Sequence, residues 1–183
     1  MRDYSGDFES NLKLSDLDNS TLADLAALYG KLYAAMDGFW YLAVKEKLGD
    51  EEALACDIRA WERACKYEMA KITKLLDIQG NGIEAMMKAI QVTPWLQQTQ
   101  FHIELTGPDS AVLTVDKCPT LNSLEKEGEG RESLVCRVAV PKLFENYAAY
   151  FSPDIVIKGI ALPPRKSKEG ISCRWEFSLE PKP

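Results

Sequence analysis

The chain has 183 residues, 46% hydrophobic and 27% charged, with a formal net charge of −6. That length suits one domain, or a domain with a helical annex, whose core needs no staples. The acidic balance argues against nucleic acid as a partner, because phosphate contacts need clustered Lys and Arg, and no run approaches the ~20 apolar residues of a membrane span.

The opening stretch "MRDYSGDFESNLKLSD" is acidic and polar, unlike an export signal with its basic end and apolar middle. The chain is therefore expected in the cytoplasm with its five cysteines reduced. Their odd number also argues against a complete disulfide framework. Residues 1–18 show no clear period and read as a flexible arm. A single α+β domain is expected over 19–183, helical over 19–95 and sheet-forming over 96–183.

"DNSTLADL" offers a helix start with Asn19 or Ser20 as cap. From there Leu22, Leu25, Ala26, Tyr29, Tyr33, Met36 and Trp40 recur at helical spacing. Leu28, Leu32, Phe39 and Leu42 add a second apolar stripe, so this helix is either buried or turns one face to a partner chain, which makes a homodimer a candidate assembly. Within "DGFWY" (37–41), Gly38 costs about 1 kcal/mol relative to alanine in a helix, so close packing or a ligand is a reason for it. Trp40, Tyr41 and Trp61 either line a pocket or fill the helical core. Gly49 marks the stop. A second helix follows Asp50, with Leu54, Ile58, Trp61, Cys65, Ile72 and Leu76 on one face. "QGNG" (79–82) breaks it, and a short third helix carrying Ile83, Met86, Met87 and Ile90 ends before Pro94.

The texture then changes. "QFHIELTGPDSAVLTVD" alternates on either side of Gly107-Pro108-Asp109-Ser110 and predicts a β-hairpin. "PKLFENYAAYF" predicts a helix opened by Pro141, and "DIVIKGIAL" with "GISCRWEFSLE" a last strand pair. "LVCRVAV" (134–140) reads as a strand by its β-branched residues and as a helix entry by its position. Short connections make the β-β-α-β-β sheet antiparallel and four-stranded.

The single histidine excludes paired-His zinc proteases, His/carboxylate iron triads and multi-His copper sites within one chain. Any Ser-His or Cys-His mechanism must pass through His102. By strand alternation His102 and Glu104 share one face, and a solvent-side role competes with a site role. Cys56 and Cys65 lie in the second helix and read as packed thiols. Cys118, Cys136 and Cys173 fall at a strand end, before a helix and in the last strand, where one sheet edge can gather them. Three thiolates with His102, a carboxylate or water would make a tetrahedral zinc site; packed core thiols are the other reading, since no CxxC spacing is present. An activated thiolate would need a neighbouring cation, for which Lys117, Arg131 and Arg137 are local candidates. Glu125, Glu127, Glu129 and Glu132 lack the EF-hand pattern and read as a solvated loop. Gly128 and Gly130 form no phosphate loop. "PPRKSK" (163–168) reads as a surface loop or an anion site.

Taken together, "DGFW", "LGDEEALACDIRAW", "YEMAKI", "CPTLNSLEKEGEGRE", "YAAYFSP", "LPPRKS" and "CRWEF" resemble an uncharacterised cytosolic prokaryotic family related to the L-2-amino-thiazoline-4-carboxylic acid hydrolases. The resemblance covers about residues 20–180. More distantly, the β-β-α-β-β half is similar to the four-vinyl-reductase small-molecule-binding domain. The resemblance implies a ligand-binding α+β scaffold in which Cys118, Cys136 and Cys173 match recurring cysteines. The end of the chain departs from it, with Ser172-Cys173 where a cysteine pair is expected.

The function expected first is small-molecule binding, with Trp40, Arg165, Arg174, Trp175 and Glu176 as ligand residues and zinc as candidate cofactor on Cys118, Cys136, Cys173 and His102. A hydrolase of a cyclic amidine C–N bond is the alternative, with Glu104 or Glu176 relaying protons and Arg165 or Arg174 holding a carboxylate. A dimeric scaffold built on Leu32 and Phe39 of the first helix ranks between the two.

Overall fold

A computed structural model describes residues 3–179. A 3₁₀ turn at Leu14–Asp16 precedes α1 (Asn19–Leu48), which is capped by Asp18. The Asp18 carboxylate accepts from the Thr21 N–H at 2.9 Å and from the Ser20 hydroxyl. The cap thus lies one residue before the two expected, because an Asx carboxylate reaches the third N–H of the first turn. Gly49, at φ 93°, alone joins α1 to α2 (Asp50–Leu75), folding the two into a tight antiparallel pair. α3 (Ile83–Ile90) and the short α4 (Pro94–Gln97) lead into the sheet half.

There β1 (Gln100–Gly107) and β2 (Ser110–Lys117) form the expected hairpin. α5 (Pro119–Glu127) and α6 (Arg131–Leu134) follow, and a π-helical stretch, Val135–Ala139, joins α6 to α7 (Val140–Phe151). β3 (Ile155–Ala161) and β4 (Cys173–Leu179) complete an antiparallel sheet of order β1-β2-β4-β3. The class is α+β, as expected. The "LVCRVAV" ambiguity resolves to helix with one widened π turn, a feature found mostly at functional sites.

Helices cover one face of the sheet. Ala111, Leu113 and Val115 of β2 and Trp175 and Phe177 of β4 point into the core, against Phe144 and Tyr147 of α7 and Ile83, Met86 and Ile90 of α3. Phe144 is the hub, with ring centroids 5.1 Å from Trp175, 5.2 Å from Phe177 and 5.9 Å from Trp95. The opposite face carries His102, Glu104, Thr114, Arg174 and Glu176, alternating with the core residues.

α1 is not the buried helix that its two apolar stripes allowed. Of its 30 residues only Gly30 and Tyr41 are buried; Leu25 is half-buried, while Tyr29, Met36 and Trp40 of the same stripe are exposed with Leu28, Leu32 and Phe39. The side turned to the protein is that of Gly30, Asp37 and Tyr41. A Cβ on Gly30 would stand 2.4 Å from the Pro94 carbonyl oxygen, so the glycine sets how closely α1 approaches α4. No described helix is long and apolar enough to cross a membrane.

Candidate functional site

Cys118 caps the N-terminus of α5, its Sγ accepting from the Leu121 N–H at 3.4 Å, and Pro119 supplies the first helical residue. Cys136 lies in the π turn and Cys173 opens β4. The sheet edge brings these three half-buried thiols into one electrostatic neighbourhood. Burial pushes Cys136 up to about 12, and the charges that Cys118 and Cys173 would carry push in the same direction. Burial also lifts Cys173 to about 12, the adjacent Trp175 indole opposing it, and raises Cys118 against the pull of the Leu121 and Thr120 N–H groups. All three are therefore neutral thiols at pH 7.

Two of the three cations that would activate a thiolate, Arg131 and Arg137, are engaged elsewhere. Arg131 donates to both Glu127 oxygens at 2.8 and 2.7 Å and lies over the Tyr41 ring. Arg137 donates to the Pro163 carbonyl at 2.6 Å. His102 is on the far face of the sheet, its Nδ1 3.1 Å from Asp116, and cannot join the thiols: alternation along β1 sends it away from the core side, where Cys173 points. Among the described residues no group of three or more His, Cys, Asp or Glu is arranged to hold a metal ion, so the residues present do not fit the expected zinc site.

The expected ligand residues also part company. Trp175 is sealed in the core, while Arg174 and Glu176 lie on the outer face, Arg174 donating to the Thr114 hydroxyl at 3.0 Å. Trp40 stands exposed on α1. Arg165 alone borders open space. It donates to Glu125 at 2.8 and 2.7 Å and to Asn122 at 3.3 Å, pinning the 162–172 loop onto α5. On either side of this pair lies a hollow. One, of about 400 Å³, is lined by Glu125, Glu132, Arg165, Lys166 and Lys168, among others. Its neighbour, of about 360 Å³, is lined by Asp116, Lys117, Arg165, Lys168 and Glu169, among others.

The acidic run is thus not a solvated loop. Pro119 at the first helical position, Leu121 and Leu124 buried at i, i+3, and Gly128 at φ 74° are a complete helix signal, and Glu125, Glu127 and Glu129 are paired to Arg165, Arg131 and Lys45.

A second polar cluster lies between α1 and α2, unannounced by the apolar stripes. Tyr33, Asp37 and Tyr41 repeat every four residues on α1 and turn toward α2, where the Tyr33 ring meets Trp61 edge-on and the Tyr41 hydroxyl donates to Asp50 at 2.8 Å. The Trp61 indole donates to Asp37 at 3.2 Å, Tyr33 to Glu68 at 3.0 Å, and Tyr147 reaches Glu68 from α7. Asp37 and Asp57 lie close enough for each to feel the other's charge, and the buried Asp57 Oδ1 has no hydrogen-bond partner among the described residues. Burial, then the Asp37 charge, pushes Asp57 up to about 7, and burial raises Asp37 and Glu68 as well. The polar four-residue repeat opposite the apolar face was the signal available for this seam.

Residues 15–179 match the model of a family of unknown function, DUF6125. The chain belongs to that family. The match spans α1 through β4, so both the hollows beside Arg165 and the carboxyl seam lie within the DUF6125 region. No curated protein and no solved structure matches the chain.

Proposed function

We propose that this DUF6125 protein binds a small zwitterionic molecule, one bearing a carboxylate beside an amine or amidine, in the hollows astride Arg165. The observation that carries the reading is their charge. Arg165, Lys166 and Lys168 face Glu125 and Glu132 in one; Lys117, Arg165 and Lys168 face Asp116 and Glu169 in the other. Three cations against two carboxylates, in a chain of net charge −6, suit a ligand that carries both signs. Volumes near 400 Å³ fall in the range of small-molecule sites. The resemblance to the thiazoline-carboxylate hydrolases points to the same ligand class, since an aminothiazoline carboxylate joins an amidine to a carboxylate.

Binding without turnover is favoured over hydrolysis because the thiolate, not the thiol, is the nucleophile, and burial holds Cys118, Cys136 and Cys173 protonated. Calorimetric titration of 2-amino-thiazoline-4-carboxylate, with the ligand analysed afterwards, tests both halves. Saturable binding with intact ligand is expected, weakened at least tenfold in Lys168→Glu, which touches both hollows. Absence of binding at millimolar ligand removes the reading. Ring-opened product would replace it with the hydrolase.

A further inference from the structure

The outward face of α1 has a second periodicity inside its helical one. Leu25, Leu28, Leu32, Ala35, Phe39 and Leu42 step by three and four residues in turn, the 3.5-residue period of a helix that packs along another helix; Leu25 and Ala35 are half-buried and the other four exposed. Tyr29 and Met36 flank the same seam. No charged residue interrupts it between Leu25 and Leu42; Lys31 lies to one side and Asp37 on the inward face. The stripe runs about 27 Å along the axis. Its exposure peaks near the middle, where Met36 and Phe39 are each 68% exposed. Monomeric proteins scatter exposed apolar residues singly; a continuous stripe marks an interface.

We propose that this face joins two copies of the chain as an antiparallel homodimer, with Leu28 of each packed on Phe39 of the other. The argument for a second copy lies in the arrangement of side-chain sizes. The six seam residues are symmetric about a point between Tyr33 and Ala34. Antiparallel apposition therefore sets Leu25 against the second copy's Leu42, Leu28 against its Phe39, and Leu32 against its Ala35. Each large side chain meets a smaller or equal one, and the three pairings recur by the two-fold axis. An isologous interface requires that self-complementarity. A parallel pair would instead stack Phe39 on Phe39, leave Ala35 facing Ala35, and bring Glu46 onto Glu46. The inward residues Gly30 and Tyr41 stay on the protein side, so dimerisation leaves the attachment of α1 to its own chain unchanged. This inference does not depend on the ligand reading.

Sedimentation of the full chain at about 100 μM, with Leu28→Glu, Phe39→Lys and the double variant alongside, tests surface and register together. The wild-type chain is expected at twice the chain mass and each single variant at once the chain mass. The double variant is expected back at twice the mass in low salt, because each Glu then meets the second copy's Lys. A wild-type monomer at that concentration overturns the proposal and leaves the face to a different partner. Single variants that remain dimeric overturn it by moving the interface elsewhere. Monomeric singles with a monomeric double overturn the antiparallel register. Circular dichroism melts check folding, and a wild-type mass of one chain is decisive even if a variant unfolds.

Discussion

α7 and α1 draw on the same apolar alphabet with opposite results. α7 buries Leu143, Phe144, Tyr147, Ala148 and Phe151 within 12 residues, whereas α1 buries two of 30. α7 lies between the sheet and α2, so both of its neighbours supply apolar surface. α1 rests mainly on α2 and α4, with Arg131 of α6 over its Tyr41. It meets them through a glycine, two tyrosines and an aspartate, and its leucines are left facing out. Apolar content, then, does not tell which helix holds the fold together; the chemistry of the contact face does.

The largest effect that would test this contrast is Phe144→Ala. Phe144 is fully buried among three aromatic rings, and its loss is expected to cost about 3–5 kcal/mol in urea unfolding. Met36→Ala on α1, measured at nanomolar protein, is expected to stay within ~0.5 kcal/mol, as for an exposed site. Equal costs for the two variants would mean that α1 is as much part of the core as α7.

Gly30→Ala comes next and strikes the one place where α1 approaches another backbone. With its new Cβ 2.4 Å from the Pro94 carbonyl oxygen, the helix must back away. A loss of about 1–3 kcal/mol is expected, the usual cost of overpacking. A gain, which alanine would bring in an unconstrained helix, would show that α1 is free to shift.

The polar attachment of α1 has a pH signature that the α7 core lacks. Asp57 ionises near 3.8 in an unfolded chain and near 7 in the folded one, where burial and the Asp37 charge oppose its anion and the Arg131 charge favours it. Between those values the folded chain holds a proton that the unfolded chain has released. Stability contributed by that proton is complete below about pH 4 and is lost as pH rises toward 7, with a slope of at most ~1.4 kcal/mol per pH unit. Asp57→Asn is expected to flatten that slope and to raise the unfolding midpoint at pH 8 relative to wild type. An unchanged slope in the variant would place the titration at another group.

Much of this architecture was legible beforehand, and the exceptions share a cause. Alternation on both sides of Gly107-Pro108 announced the hairpin, and Leu143, Phe144 and Tyr147 announced the α7 core, because each pattern has a single apolar face. α1 has apolar residues all round, so spacing could not say which side faced inward; the polar repeat of Tyr33, Asp37 and Tyr41 did, once Asp57 and Trp61 stood opposite. α5 was obscured by its glutamates, which read as solvated until Arg165, Arg131 and Lys45 were found beside them. The places of Cys118, Cys136 and Cys173 at strand and helix ends let each feel the others' charge. Their protonation was not legible, because burial has no linear signature.

His102 gives the smallest effect and the sharpest check on the two faces of the sheet. It is the chain's single histidine, exposed, and 3.1 Å from the Asp116 carboxylate. A surface pair of this kind contributes about 0–1 kcal/mol. His102→Ala is therefore expected to shift stability by no more than ~0.5 kcal/mol at pH 7 and to leave the reactivity of the thiols toward a maleimide unchanged. The thiols open onto the helix-covered side, and strand alternation keeps the imidazole on the other. A severalfold change in thiol modification rate on removing His102 would mean that the imidazole and the thiols communicate through the sheet edge. The division between the edge that carries the thiols and the outer face of the sheet would then have to be redrawn.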